Sequence, residues 1–258
     1  MAGTRAATDR ELFDSIAARH AAKDLTPSSR RARRLRLERT LSVVQLQPSW
    51  RVLEVGCGAG FAATYLRGRF GEYVGIDHSQ ALIEIASDTN AADRVNFVAS
   101  SIEAFEPPHT FYLVFMVGVL HHLEHKEREL STLVGFLKPG GYLVANEPQP
   151  ANPFVSLARR LRGALDDSYS SEQEEICRRD LRNLLAGSGL GDIVIQPQGL
   201  LSTPFAELVL KPGMLAQPLS LLACSLDAYV EPRLGRVLLP FSWNLIAVGR
   251  RPGSGIGR

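Results

Sequence analysis

Residues Arg51-Val-Leu-Glu-Val-Gly-Cys-Gly-Ala-Gly60 set a short β-branched run directly against three alternating glycines. Phe61-Ala-Ala-Thr-Tyr-Leu66 follows as a helix start, and Tyr73-Val-Gly-Ile-Asp77 as a second strand closed by an acid. Strand, glycine turn, helix and returning strand make up the nucleotide-binding half of a doubly wound α/β sheet. Gly56, Gly58 and Gly60 let the chain turn sharply and bring backbone N–H groups close to a ligand. Those groups, with the positive end of the next helix, favour an anionic group such as a carboxylate or phosphate. Asp77, at the carboxyl end of its strand, can accept hydrogen bonds from both hydroxyls of a ribose. The pattern calls for an adenosine-type ligand.

The spacing narrows the choice. A dinucleotide loop reads G-x-G-x-x-G, its third glycine allowing close helix packing under a pyrophosphate. Here the order is G-x-G-x-G, and Phe61 stands where that third glycine belongs. Glu54, an acid near the end of an otherwise apolar strand, would repel a pyrophosphate and attract a cation. S-adenosylmethionine carries an ammonium and a sulfonium and no phosphate, so the charges favour it.

The likeness continues beyond the loop. Val52 to Gly60 resembles the first motif of the class I S-adenosylmethionine-dependent methyltransferases, small-molecule type, and Gly75-Ile-Asp-His-Ser79 their second-strand acid motif. Phe111-Tyr-Leu-Val-Phe-Met-Val-Gly-Val-Leu-His-His-Leu123 is similar to their fourth strand and its sequel, and Leu137-Lys-Pro-Gly-Gly-Tyr-Leu-Val-Ala-Asn-Glu147 to the helix end, turn and fifth strand. The match spans roughly residues 50–150 in order. It implies a Rossmann-like, mostly parallel seven-stranded sheet with the last strand antiparallel between the fifth and sixth. It also implies S-adenosyl-L-methionine as cofactor. Glu54, Gly56, Cys57, Gly58 and Gly60 would then shape its cradle, with Asp77 and His78 at the ribose side. Ser101, Ile102 and Val117 would border it, and His20 would close over it from an N-terminal helix. Two departures bear on that pocket. Ser100-Ser101 stands where an acid for the adenine amino group is expected, and Phe111-Tyr112 where the fourth strand commonly begins Phe-Asp.

At 258 residues the chain suits one sizeable α/β domain with additions. The expected division is a helical cap over 1–48 and a cofactor-binding domain over 49–258, with a helical insertion at about 200–238. A net charge of +2 gives no field that demands nucleic acid. The three cysteines, Cys57, Cys177 and Cys224, lack metal-ligand or disulfide spacing and suggest a reducing compartment. The polar N-terminus has no signal-peptide core, and no apolar stretch reaches the roughly 18 residues of a membrane span. A cytoplasmic protein, free or peripheral to the membrane, is the expectation.

Helical spacing runs from Asp9 to Ala22 and again from about Arg30 to Leu46. Strands are expected at 51–55, 73–77, 94–98, 111–117, 141–147, 192–196 and 239–249. Helices are expected near 60–69, 79–88, 126–137, 154–165 and 171–188. Arg30, Arg31, Arg33, Arg34 and Arg36 start the second helix, and Arg39 follows. They form a solvated face or a contact with anions or a membrane surface. Residues 200–239 alternate apolar runs with Pro204, Pro212, Pro218 and Pro232. About forty residues where a hairpin needs few is an insertion, read as short capping helices, a greasy lid or a membrane-facing patch.

Methyl transfer is an in-line displacement that rests mainly on alignment. A hydroxyl acceptor also gains from a base, and His121 and His122 after the fourth strand are the best-placed candidates. Glu147, closing the fifth strand, would orient the acceptor. The reading is a small, apolar acceptor such as a quinone, lipid or secondary metabolite, with O-methylation favoured and no metal ligand set in view. Two other readings stay open: a protein that binds the cofactor without turnover, and a dinucleotide-dependent oxidoreductase.

Overall fold

The computed structural model describes residues 5–150, 152, 176–234, 237 and 239–253. Two helices, α1 (Arg5–Leu25) and α2 (Pro27–Leu41), precede the sheet. Then come β1 (Arg51–Val55), α3 (Phe61–Tyr65), β2 (Glu72–Asp77), α4 (Gln80–Asn90), β3 (Val95–Ala99) and β4 (Phe111–Val117). A 3-10 turn (Leu120–His122), α5 (Lys126–Phe136), β5 (Leu137–Pro148), α6 (Arg178–Gly187) and β6 (Gly191–Gln198) follow. The insertion supplies α7 (Thr203–Glu207) and α8 (Gly213–Leu234), and β7 (Asn244–Arg250) ends the sheet. The helix expected over 154–165 and the start of the one expected from 171 lie outside the described residues.

The strand order is β3-β2-β1-β4-β5-β7-β6. The first five are parallel, and β7 runs antiparallel between β5 and β6, as the family resemblance implied. Alternating side chains divide the core. Leu53, Val55, Ile76, Val114 and Met116 face the α5 and α6 side. Val52, Tyr73, Leu113 and Phe115 face Leu37 and Leu41 of α2 and Ala63 and Leu66 near α3. Both layers are needed because a parallel sheet buries both faces.

Three expectations change. The last strand starts at Asn244, because Leu239-Pro-Phe241 forms a 3-10 turn. β5 begins at Leu137, its register slipping opposite Phe111–Leu113 so that the Pro139-Gly-Gly turn becomes an irregular strand entry. The insertion is one five-residue helix and one of twenty-two residues, with Pro218 and Pro232 inside the longer one. No helix among the described residues is long and apolar enough to cross a membrane.

α2 starts with Pro27 at its first position, where a missing N–H costs nothing. Its arginines are not one solvated face. Arg33 pairs with Asp24 at 2.8 Å, Arg36 with Glu207 at 2.6 Å and Arg39 with Glu231 at 2.9 Å, leaving Arg30, Arg31 and Arg34 exposed. α2 is thereby locked between the sheet and the insertion.

Candidate functional site

The strand ends converge where β1 turns through the glycines. Gly56, Gly58 and Gly60 all take left-handed φ values, +67°, +53° and +75°. A Cβ on Gly56 would collide with the Val119 side chain, and one on Gly60 would come within 2.6 Å of the Phe97 ring. The loop is therefore fixed by its neighbours as well as by backbone geometry.

Its N–H groups differ from expectation. Gly56 and Cys57 both donate to the Ile76 carbonyl, at 2.8 and 3.0 Å. Gly58 donates to Asp77 Oδ2 at 2.9 Å, and Gly60 to the Cys57 carbonyl at 3.0 Å. Gly56, Cys57 and Gly58 thus spend their N–H groups closing the turn against β2, and Gly60 spends its own within the loop, so these four donors do not face an anion. The sequence expectation of a carboxylate or phosphate held by the loop glycines narrows accordingly to Ala59 and the first turn of α3. Cys57 fills space against Gly75, and burial pushes its thiol up.

Two acids flank the loop. Asp77 accepts from Gly58 N through one oxygen and from Ser79 N, at 2.9 Å, through the other, so each oxygen keeps a lone pair. Burial raises its pKa, and the two N–H groups oppose that rise. Glu54 is 5% exposed and accepts from the buried Tyr73 hydroxyl. Burial pushes Glu54 up to about 8, with Arg33 pulling the other way. A buried acid in that state accommodates a cation, which would restore its charge. This donor set fits an adenosyl cofactor bearing positive charge and no phosphate.

Helix α1 lies over the loop. Ala17 and Ala21 pack on Ala59 and Leu82, and Asp14 accepts from Ser79 Oγ at 2.5 Å and Ala81 N at 3.2 Å. Asp14 thus caps α4 together with Ser79, whose hydroxyl accepts from Leu82 N. Phe13 stacks edge-on or tilted against His20, His78 and His122, with centroids 5.6–6.1 Å away. His20 reaches Gly58, and its Nδ1 is buried with no hydrogen-bond partner. Burial brings His20 down to about 3. That orphaned nitrogen beside the loop is a second feature that fits a bound polar ligand.

The histidine pair is held from two sides. His121 Nδ1 lies 2.7 Å from Glu147 Oε2, and His122 Nδ1 lies 3.1 Å from Asp9 Oδ2. Glu147 Oε1 also accepts from Val119 N at 3.0 Å and Leu120 N at 2.9 Å, and Oε2 from His121 N at 3.3 Å. At 1% exposure, with these contacts made, Glu147 shapes the turn after β4 and does not itself face an acceptor. This corrects its expected orienting role. Burial and the adjacent His121 bring His122 down to about 4.

Of the remaining expected residues, Val117 ends β4 on the α2 side. Ser101 uses its hydroxyl on Ala104 N at 3.2 Å, and Ile102 packs into the α5-side core with Phe105. Tyr112 sits at the amino end of β4, stacked on Trp50, so that departure does not touch the site. Sequence reasoning missed Asp9, Phe13, Arg33 and Arg36, although residues 9, 13 and 20 share one helical stripe. Arg36 is buried beside Gly118 and Asn146 at the β4–β5 end. Two surface clefts lie away from this site, at the amino ends of β1 to β3 (Arg51, Glu72, Arg94) and beside β3 (Asn96, Val98, Ala104). Helix α1 already covers the loop.

Residues 52–141 match the family model described as a methyltransferase domain. The chain is 33% identical over 130 residues to phthiotriol/phenolphthiotriol dimycocerosates methyltransferase 1 of Mycobacterium ulcerans, covering 49% of this chain and 47% of that protein. It is 34% identical over 96 residues to the ubiquinone biosynthesis O-methyltransferase of Rickettsia felis, covering 36% and 39%. The chain thus spans about half the length, or less, of these curated relatives. An S-adenosylmethionine-dependent methyltransferase of Thermotoga maritima shares its fold, with a TM-score of 0.63 at 18% identity over 94% of this chain and 99% of that one.

Proposed function

Because the chain belongs to the class I S-adenosylmethionine-dependent methyltransferases and so uses S-adenosyl-L-methionine, we propose that it transfers a methyl group to a small, apolar acceptor, with a hydroxyl oxygen as the favoured nucleophile. The observation that carries this is the Glu54–glycine loop–Asp77 arrangement, two acids around a turn in which Gly56, Cys57, Gly58 and Gly60 spend their N–H groups on protein acceptors. Asp77 and His78 would hold the ribose side and Glu54 the positive end. Gly56, Cys57, Gly58 and Gly60 would shape the floor, with Ser101, Ile102 and Val117 at the border. His20 and the rest of residues 1–48 would form the cap. The bound cofactor supplies an electrophilic methyl group on sulfur.

The chain's own part is alignment, exclusion of water and proton removal. α1 covers the site with Phe13. His122 is unprotonated at neutral pH and is held by Asp9, so it is the better base of the two histidines. His121, tied to the buried Glu147, positions it. The apolar character of the acceptor draws support from the exposed leucines of the insertion and from the names of the Mycobacterium and Rickettsia relatives. A second reading, cofactor binding without turnover, draws on Ser101, whose hydroxyl is already engaged where an acid was expected.

Calorimetric titration with S-adenosylmethionine, its demethylated product and NADH, repeated with Asp77→Ala, tests the cofactor site. Binding of both sulfur ligands, lost in the variant and absent for NADH, is expected. Mass-spectrometric screening of phenols, quinols and hydroxylated lipids then separates the readings. Binding with no methylated product across that screen would favour the second.

A further inference from the structure

Among the described residues, the large apolar side chains left open to solvent gather in one segment of the chain, most of them on α8. All but Leu25 and Val194 lie between residues 201 and 241. On α8 they form a stripe: Leu215 (58% exposed), Leu219 (56%), Leu222 (57%), Leu226 (41%) and Tyr229 (62%). Steps of four, three, four and three keep these on one side of a helix. Met214 and Leu221 widen it, and Leu208 and Val209 extend it beyond the helix.

The opposite side of α8 is built into the protein. Ser220 Oγ donates to the Ser28 carbonyl at 2.7 Å. Asp227 accepts from Leu200, Leu201 and Ser202 N–H groups, and Glu231 from Gly199 N and Arg39. The two acids of the helix are therefore both turned inward, at 1% and 6% exposure. They tie α8 to the carboxyl end of β6, the end of the sheet where the candidate site opens.

Three cations with no ion-pair partner among the described residues flank the stripe, while the neighbouring Glu207 is paired with Arg36. Lys211 precedes α8, Arg233 stacks on the Tyr229 ring at 3.8 Å, and Arg31 of α2 stands near Cys224. This rim argues against a second copy of the chain as the occupant. A two-fold pairing about Leu222 with helices antiparallel sets Lys211 opposite Arg233 of the other copy. A parallel pairing sets each cation opposite itself. Either way like charges meet. The helix turns both its acids inward, and the partly exposed Glu207 beside Leu208 is neutralised by Arg36. Such an apolar ridge, flanked by lysine and arginine, complements an anionic lipid surface, with leucines among the acyl chains and cations among the headgroups.

We propose that α8 is a membrane-docking helix that lies in the plane of an anionic lipid surface and brings the open end of the sheet to it. The proposal holds whichever acceptor is methylated and does not depend on turnover.

Flotation with mixed phosphatidylcholine–phosphatidylglycerol vesicles and with phosphatidylcholine vesicles alone tests it. The protein should float with the anionic vesicles at low salt and much less with the neutral ones. Leu219→Gln/Leu222→Gln/Leu226→Gln changes only exposed side chains and should lower vesicle partitioning roughly tenfold or more while far-UV circular dichroism and cofactor binding persist. Arg31→Glu/Arg233→Glu should remove the preference for anionic lipid. No flotation with anionic vesicles at low salt, or unchanged flotation of the triple glutamine variant, would overturn the proposal. So would a dimer in solution that the triple variant converts to monomer without any vesicle binding, since a second copy would then cover the stripe.

Discussion

Asp9 Oδ2 and His122 Nδ1 lie 3.1 Å apart, joining the first helix to the turn after β4 across 113 residues of sequence. A carboxylate only accepts, so Nδ1 carries the proton and Nε2 is left as the basic nitrogen. His122→Asn should cost about 10²- to 10⁴-fold in turnover of an identified acceptor with cofactor affinity nearly unchanged. Asp9 raises the His122 pKa, so Asp9→Asn should move the acid limb of the rate profile to lower pH. Nitrogen chemical shifts of His122 check the tautomer without any acceptor. An Nε2–H tautomer in the wild-type protein would remove His122 as base.

The positions of the inner strands were readable because glycine spacing, terminal acids and β-branched runs are local signals, and β1, β2 and β4 fall where they indicate. Their order in the sheet followed only from the family resemblance. The outer strands were harder. β7 follows a proline-punctuated segment whose turn at 239–241 has no distinctive spacing. Site residues divided the same way. Glu54 and Asp77 announce themselves by position, whereas Asp9, Arg33 and Arg36 acquire meaning only when α1 and α2 fold over the strand ends. Glu147 shows the converse limit. Its place at the end of β5 was legible, but three N–H groups and His121 converging on its carboxylate are tertiary facts.

His20 should make the folded state acid-sensitive. Its pKa is about 3 when folded against 6.5 ordinarily, so the unfolded chain binds more protons between those values. Stability is complete above about pH 6.5 and falls as pH drops toward 3. His122, at about 4, acts in the same direction. Between pH 7 and pH 5 the His20 share is about 2 kcal/mol. Urea unfolding of His20→Leu should show a decline smaller by that amount, and an unchanged decline would mean that His20 is hydrated in the native state.

Glu147→Ala should be among the most damaging single changes at the strand ends. It leaves the N–H groups of Val119, Leu120 and His121 without their acceptor in a buried turn. A loss of about 3 kcal/mol is expected from urea unfolding. Glu147→Gln keeps the shape and one acceptor oxygen, so its loss should be smaller. Its His121 ring should nonetheless lose orientation, visible as a changed His121 side-chain resonance. Equal stability of the alanine variant and wild type would contradict the capping role.

Glu54 should release a proton when the cofactor binds. Its pKa is raised to about 8 by burial, so near pH 7 it is mostly neutral in the folded protein and ionised in the unfolded chain. Its contribution to stability is therefore present below about pH 4.5 and lost as pH rises through 8. A cation bound beside it favours the carboxylate and lowers that pKa. Binding near neutrality then expels up to about one proton, and affinity climbs with pH until about 8. Calorimetry in phosphate and in Tris, whose ionisation heats differ, should give different apparent enthalpies for S-adenosylmethionine. Glu54→Gln should abolish the difference and weaken binding by roughly tenfold. Asp77, also raised by burial, remains in that variant, so a buffer dependence that survives the substitution would assign the proton to Asp77 and remove Glu54 from the cation's side of the site.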